Sequence, residues 1–191
     1  MAQQPTRLEY RISLSQVDRG VDASETVIVG RHPSESPTHL VLRVLAWCLL
    51  YEERLEFGPG LCIGDAADVK ATDLTGRLKT WIECGAGRSA ELKKLLQHNP
   101  GLALHVVLED ARKANTLLEE IAEWGAPPRG GGELAVWLVD AAFVRELAAD
   151  EERRHKWTVT VVGDHFYLEA DGKPLEGAVQ RLTPAWTGKR S

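Results

Sequence analysis

The longest apolar stretch of the sequence runs from Leu40 to Tyr51 and is interrupted by Arg43. It follows Ser36 and Pro37, where a hydroxyl can cap free helix amides and a proline suits the first helical turn. Apolar residues recur at helical spacing and cover most of the surface of the predicted helix, which indicates that the helix is largely buried. The stretch is too short to span a bilayer, so we expect no membrane segment.

Strand and helix patterns alternate through the rest of the chain. Arg7 to Ser15 alternates apolar and polar residues, and Ser24 to Val29 is rich in β-branched residues, so the two predict an antiparallel hairpin. Further strands are predicted at Arg54–Phe57, Arg77–Glu83, Leu102–Leu108, Leu134–Val139, Trp157–Val162, Phe166–Leu168 and Val179–Leu182, and helices at Ser89–Gln97, Ala111–Trp124 and Asp140–Asp150. Leu61 to Ala71 resembles a loop. This order predicts one α/β domain over residues 1–191, with a central mixed β-sheet flanked by helices.

Charge and cysteine content narrow the functional class. The net charge of −5 argues against a protein that coats nucleic acid, because such proteins neutralise phosphates with a basic surface. A local basic groove around acidic metal ligands remains compatible with it. Cys48, Cys62 and Cys84 have no CxxC spacing, which argues against a disulfide framework or a structural zinc site. The polar N-terminus lacks a signal-peptide pattern, so we expect a cytoplasmic protein.

Two acids around the strand at Arg77–Glu83 form the most suggestive chemical pattern. Asp73 and Glu83 are an even number of positions apart and would share one face of a continuous strand. A bend at Thr75 and Gly76 can instead aim both acids at a common point. Carboxylates are the ligands that Mg²⁺ prefers, so the pair is a candidate site for Mg²⁺ or Mn²⁺.

Two lysines follow this pair on the next predicted helix. Lys93 and Lys94 flank its apolar stripe, so one of them should lie near the buried edge. A divalent cation and an ammonium group both stabilise negative charge on phosphorus, which favours phosphodiester hydrolysis. Ordinary explanations stay open: Asp73 as a turn residue, Glu83 as a solvated strand end, and the lysines as a solvated helix face.

Several short motifs together resemble the YaeQ family. They occur in this order: Arg31-His-Pro-Ser-Glu35, Arg43-Val-Leu-Ala46, Arg54-Leu-Glu-Phe57, Gly60-Leu61, Asp73-Leu-Thr-Gly76, Trp81-Ile-Glu83, Gly85, Leu92-Lys-Lys94 and Val136-Trp137. The resemblance covers nearly the whole chain. The fold of that family is similar to the PD-(D/E)xK nucleases, which cut phosphodiester bonds with a divalent metal. The resemblance therefore implies a restriction-endonuclease-like core with additional β-strands from both termini.

The resemblance also implies roles for individual residues. Asp73 and Glu83 stand where that superfamily has its two metal-binding acids, and Glu35 resembles an extra acid on the first core helix. Gly85 occupies the position of the superfamily's lysine, and Lys94 is the candidate for a relocated one. The resemblance thus implies Glu35, Asp73, Glu83 and Lys94 as catalytic residues and nucleic acid as the candidate partner.

Two functional hypotheses follow from these observations. The first is a metal-dependent nuclease or phosphodiesterase. The second is an inactive nuclease-like scaffold that acts as a binding or regulatory protein, because fold does not determine function. Gly85 and the acidic net charge favour the second hypothesis, whereas the set of acids and a lysine favours the first.

Overall fold

The protein is described here by a computed structural model of residues 5–59, 66–127 and 130–185. Within these residues, ten strands form one nearly closed sheet and four α-helices pack against it. The strands are β1 Thr6–Gln16, β2 Val21–Arg31, β3 Glu56–Phe57, β4 Val69–Thr72, β5 Leu78–Cys84, β6 Ala103–Leu108, β7 Glu133–Val139, β8 Arg154–Val162, β9 His165–Ala170 and β10 Lys173–Leu182. The helices are α1 Pro37–Leu49, α2 Ser89–His98, α3 Ala111–Ala122 and α4 Ala141–Ala148.

The sheet is mixed, as the sequence predicts. Its strand order is β2-β1-β8-β9-β10-β7-β6-β5-β4-β3. The β1–β8, β5–β6 and β6–β7 pairs are parallel, and the others are antiparallel. The α/β class, the mixed sheet and the flanking helices are therefore confirmed.

Helix α1 begins where the sequence predicts and is buried along most of its length. The hydroxyl of Ser36 accepts a hydrogen bond from the amide of His39, and Pro37 is the first helical residue. Every residue from Leu40 to Leu49 is buried, including Arg43. Helix α1 packs against β4, β5, β6 and α4, and the carbonyls of Cys48 and Leu49 at its end accept hydrogen bonds from Gln16 of β1.

A second apolar core lies on the opposite face of β5, β6 and β7. Leu92 and Leu96 of α2 and Leu117 and Ile121 of α3 pack there. Successive residues of β5 consequently face different cores: Ile82 and Cys84 belong to the core around α1, whereas Trp81 belongs to that around α2. Glu83 is on the same face of β5 as Trp81 and borders a groove next to α2.

Two parts of the predicted secondary structure are wrong, since β10 begins at Lys173 and not at Val179, and a predicted loop contains a strand. Leu61–Ala71 is predicted as a loop, but Val69–Thr72 forms β4 and pairs with β5. Four residues are too few to show a clear alternating pattern, and the pairing with β5 determines the strand. Cys62 and Gly60-Leu61 lie outside the described residues. No helix in the described ranges is both long and apolar enough to cross a membrane.

Candidate functional site

Asp73 lies in the tight turn that joins β4 to β5. Its Oδ1 accepts hydrogen bonds from the amide of Thr75 (2.8 Å), the hydroxyl of Thr75 (2.7 Å) and the amide of Arg77 (3.0 Å). The hydrogen bond from the Thr75 hydroxyl, followed by those from the two amides, lowers the pKa of Asp73. Asp73 is half-buried, beside exposed neighbours in the turn. These contacts are those of a turn residue.

The structure does not bring Asp73 to Glu83. Thr72 pairs with Leu78 at the turn end of the hairpin, and Glu83 lies five residues farther along β5. At about 3.3 Å per residue, the two positions are about 17 Å apart along the strand. The predicted bend at Thr75 and Gly76 exists, but it reverses the chain into an antiparallel hairpin. Asp73 and Glu83 therefore cannot bind one cation in this arrangement.

Asp68 lies beside Glu83 instead. The amide of Asp68 donates to the carbonyl of Ile82 (3.1 Å), and its Oδ2 accepts from the amide of Cys84 (2.8 Å). Asp68 thus bonds to the residues on either side of Glu83, through its backbone amide to Ile82 and through its carboxylate to Cys84. Sequence reasoning missed Asp68 because it lies in the segment predicted as a loop, where no strand pattern indicated a partner for β5.

Glu35 is buried at the start of α1 and binds two cationic side chains. Its Oε1 lies 2.8 Å from Nδ1 of His39, and Nη1 of Arg43 lies 3.1 Å from Oε1 and 3.3 Å from Oε2. The amide of His32 also donates to Oε2 at 3.2 Å. Both oxygens of Glu35 are therefore occupied by partners from its own chain segment and from α1.

His39 and Arg43 connect Glu35 to Asp68. Nε2 of His39 lies 3.1 Å from the carbonyl oxygen of Cys84 and 3.6 Å from Oδ2 of Asp68. Nε of Arg43 lies 3.5 Å from Oδ1 of Asp68, an ion pair longer than a typical hydrogen bond. We call Glu35, His39, Arg43 and Asp68 the α1 network.

The pKa shifts of Glu35 and His39 favour the ionised form of both side chains, so opposite charges lie side by side in the α1 network. Burial alone would lower the pKa of His39, but hydrogen bonds to Asp68 and Glu35 raise it to about 9. Burial opposes ionisation of Glu35, whereas the hydrogen bond from His39 and the charge of Arg43 lower its pKa. Two carboxylates and two cations therefore compensate one another at neutral pH, as buried charges require.

Glu83 has a different environment from the α1 network. Burial raises its pKa to about 7, and the negative charge of Asp68 adds to that shift. The indole N–H of Trp81 donates to Oε2 at 3.1 Å, and the charge of His39 also favours the ionised form, but neither overcomes burial. Glu83 is consequently a carboxyl group that changes its charge near neutral pH.

Glu83 and Lys94 line the same groove between β5 and α2. The cavity has a volume of about 570 Å³. Its walls combine cationic, acidic and apolar side chains: Arg88, Lys94 and His98; Glu83 and Glu91; and Trp81, Leu92 and Leu95. Three basic side chains outnumber the two acids of the groove, Glu83 and Glu91, so the groove can accommodate an anionic ligand. The structure thus brings Lys94 and Glu83 to one groove and places Glu35 behind it, in the α1 network.

Comparison with known proteins places the chain in a family. The sequence model described as YaeQ protein matches residues 1–179. The chain belongs to the YaeQ family. It is 25% identical over 176 residues to "Uncharacterized protein YaeQ" of Escherichia coli (strain K12), covering 92% of this chain and 94% of that protein. The protein of the same name from Salmonella typhi is 24% identical over the same length and the same shares.

Solved YaeQ structures have the same fold. The YaeQ protein from Xanthomonas axonopodis pv. citri matches with a TM-score of 0.82 and 25% identity, over 93% of this chain and 97% of that one. The YaeQ protein from Pseudomonas syringae matches with a TM-score of 0.80 and 25% identity, over 94% and 96%. The elements that carry the groove and the α1 network therefore belong to a fold that YaeQ proteins share.

This YaeQ chain has a structural reason for glycine at position 85. Gly85 has φ +77°, and a Cβ there would lie 3.1 Å from Cδ2 of His39. A lysine would be strained and would press against His39. An amine reaches this position from α3 instead, because Nζ of Lys113 lies 3.3 Å from the carbonyl oxygen of Gly85.

Another acid, Glu109, directly follows β6, next to the end of β5. Oε2 of Glu109 is buried and has no hydrogen-bond partner among the described residues. Lys113 and Glu109 were both missed by sequence reasoning, because neither stands in a motif with spacing to Glu83. Parallel pairing of β5 with β6 brings their ends together, so only the sheet order shows that they are neighbours.

Proposed function

We propose that this YaeQ-family protein hydrolyses phosphodiester bonds of nucleic acid in the groove beside Glu83, with Mg²⁺ or Mn²⁺ bound by Asp68 and Glu83. The observation that carries the proposal is the Asp68 carboxylate bound to the backbone next to Glu83 and close enough to raise the pKa of Glu83, beside a groove that Glu83 shares with basic side chains. Asp68 takes the role that the sequence assigns to Asp73. In this proposal β3–β7 with α1–α3 form a restriction-endonuclease-like core, to which the terminal strands are added.

The donor atoms suit a hard divalent cation. Both Asp68 and Glu83 offer carboxylate oxygens, which Mg²⁺ and Mn²⁺ bind in preference to nitrogen or sulfur. Burial and the charge of Asp68 disfavour the ionised form of Glu83, and a cation between the two groups would offset both effects. A bound cation would polarise a phosphoryl oxygen and lower the pKa of a bound water.

Other residues have supporting roles in this proposal. Glu35 is not a ligand, because His39, Arg43 and the amide of His32 occupy its oxygens. Glu35 and His39 instead hold the Cys84 carbonyl and the Asp68 carboxylate in position. Lys94 stabilises charge on the phosphate from within the groove. Such a reaction on nucleic acid is consistent with the proposed cytoplasmic location.

One observation favours the inactive-scaffold alternative. The α1 network already neutralises Glu35 and Asp68 with His39 and Arg43, so Asp68 has cationic neighbours without a metal. In that case the groove would bind an anionic partner through Arg88, Lys94 and His98 without cleaving it. Binding that survives removal of the carboxylates would identify this alternative.

The proposal is tested by cleavage of single- and double-stranded DNA and RNA with Mg²⁺ or Mn²⁺. We expect Asp68→Asn and Glu83→Gln to reduce the rate about 100-fold or more, because even groups behind a metal ligand usually matter 10–100-fold. Asp73→Asn is the matched control, since asparagine keeps the Oδ1 acceptor of the turn, and its rate should equal that of the wild type. Equal cleavage by all four proteins would overturn the proposal.

A further inference from the structure

A second group of potential ligands lies away from the groove, where α4 ends against β8 and the β9–β10 turn. Asp150 follows α4, His155 is in β8 and Asp171 is in the turn. One ligand atom from each lies within 4.8 Å of the others. We propose that these three residues bind a divalent transition-metal ion of the Zn²⁺ type.

The two carboxylates are fixed so that one oxygen of each faces the histidine. Oδ1 of Asp150 accepts from the amide of Glu152 at 2.9 Å, and Oδ1 of Asp171 accepts from the amide of Lys156 at 2.8 Å. The other oxygens, Oδ2 of each, lie 3.7 Å and 3.5 Å from Nδ1 of His155. Backbone amides therefore orient both acids, as the groups behind metal ligands do.

His155 is a buried polar ring without a hydrogen bond. Its side chain is 4% exposed and stacks on Tyr10, with 4.5 Å between ring centroids. Nε2 is enclosed without a hydrogen-bond partner among the described residues, and Nδ1 faces the carboxylates of Asp150 and Asp171 at 3.7 Å and 3.5 Å. Buried polar groups normally have partners, because leaving one unpaired is costly. An ion bound to Nδ1 would replace its two long contacts to the carboxylates with short coordinate bonds.

The distances fit an ion shared by the three residues. Zn²⁺ binds imidazole nitrogen and carboxylate oxygen at about 2.0–2.2 Å in a tetrahedron, which separates two ligand atoms by about 3.4 Å. The separations of 3.5 Å and 3.7 Å are close to this value and longer than an ordinary N–H···O hydrogen bond. The imidazole favours Zn²⁺ over Mg²⁺, which prefers oxygen ligands.

The surroundings leave room for a fourth ligand. A cavity of about 360 Å³ borders Asp150, His155 and Asp171, and an ion pair between Lys173 and Glu146 at 2.7 Å lies on its wall. Water can therefore complete the coordination. A bound ion would connect the end of α4 to β8 and to the β9–β10 turn, so it would stabilise the fold independently of any reaction at Glu83.

The test is a titration of chelator-treated protein with Zn²⁺, followed by calorimetry and thermal unfolding. We expect one ion to bind and to raise the unfolding temperature, because a ligand that binds only the folded state stabilises it. Asp150→Asn and Asp171→Asn keep their Oδ1 acceptors and should weaken binding at least tenfold. Mg²⁺ at the same concentration should change the unfolding temperature of the wild type and of Asp171→Asn by the same amount, because Mg²⁺ prefers oxygen ligands and does not need the histidine of this site.

Two controls separate this site from others in the chain. Asp164→Asn alters an exposed pair in which Asp164 lies 2.6 Å from Nδ1 of His165, and Asp68→Asn alters the proposed phosphodiesterase site. Both should retain the wild-type affinity for Zn²⁺. Affinity lost in Asp68→Asn but kept in Asp150→Asn and Asp171→Asn would overturn the proposal, as would an absence of binding.

A measurement on the wild-type protein tests the site even if the variants fold poorly. In wild-type protein with ¹⁵N-labelled histidine, Zn²⁺ should shift the ring nitrogen resonance of Nδ1 of His155 before those of the other histidines. A shift that begins at exposed His165 and leaves His155 unchanged would show that the buried cluster is not a metal site.

Discussion

At the scale of single residues, the main result is the position of Arg43. The sequence shows it only as an interruption of an apolar stretch, yet its side chain is fully buried and lies between Glu35 and Asp68. Helical spacing predicts that Arg43 lies on the same face as His39, but it does not identify the carboxylate of Asp68. Asp68 directly precedes β4, the strand that sequence reasoning did not detect.

Removing the charge of Glu35 should destabilise the protein strongly. Glu35→Gln leaves two buried cations, His39 and Arg43, with one carboxylate fewer, and breaking a buried pair in this way typically costs about 3–5 kcal/mol. The free energy of unfolding in urea measures the loss. Glu91→Gln, which breaks the exposed pair with Arg88, should cost less than about 1 kcal/mol. Similar losses in both variants would show that the α1 network is not strongly coupled.

At the scale of secondary-structure elements, local patterns predict most strands and helices correctly. The hairpin of β1 and β2, the start of α1 and the strand β5 all have signals in adjacent residues. Strand β4 has no such signal, because its four residues are defined by their partner strand. The consequence for the site is large, since the position of β4 determines that Asp68 rather than Asp73 adjoins Glu83.

His105 in strand β6 should make the free energy of unfolding depend on pH. Burial lowers the pKa of His105 to about 4, and the neutral ring accepts a hydrogen bond from the indole of Trp137 at 3.3 Å. The unfolded chain has a histidine pKa near 6.5. This contribution is complete above pH 6.5 and is lost as the pH falls towards 4, because the unfolded state then binds the proton more tightly.

We expect the loss between pH 6.5 and 4 to be about 3 kcal/mol, at about 1.4 kcal/mol for each pKa unit. Urea unfolding of the wild type and of His105→Gln across this range isolates the contribution, since the acidic residues titrate in both proteins. His98→Gln, at an exposed position, is the control and should follow the wild type. A wild type and a His105→Gln variant with parallel pH profiles would contradict the prediction.

The packing of α4 on β10 should not tolerate a single added methyl group. A Cβ at Gly177 would lie 2.4 Å from Cγ and 2.6 Å from Cβ of Phe143. Gly177→Ala should therefore cost about 1–3 kcal/mol through overpacking, measured by thermal or urea unfolding. At Gly30, in β2, the nearest atom to an added Cβ is 3.9 Å away, so Gly30→Ala should be nearly neutral. Equal stability of the two variants would be evidence against tight packing at this contact.

At the scale of the whole molecule, the order of the strands is what the sequence does not reveal. Periodicity identifies strands but does not choose their neighbours, and β1 pairs with β8 across most of the chain length. That long-range pairing places His155 of β8 beside Tyr10 of β1. The same limitation applies to the candidate site: Glu35, Glu83 and Lys94 were identifiable, whereas Asp68 and Lys113 required the sheet.

The place of β10 in the sheet has a consequence for synthesis on the ribosome. Strand β10 lies between β9 and β7 and joins the two halves of the sheet. Until Leu182 has left the exit tunnel, the backbone amides and carbonyls of β7 along that side have no partner, which is the condition under which nascent chains associate with one another. We therefore expect the two halves to close only after β10 has emerged, and chaperones to have their main opportunity before then.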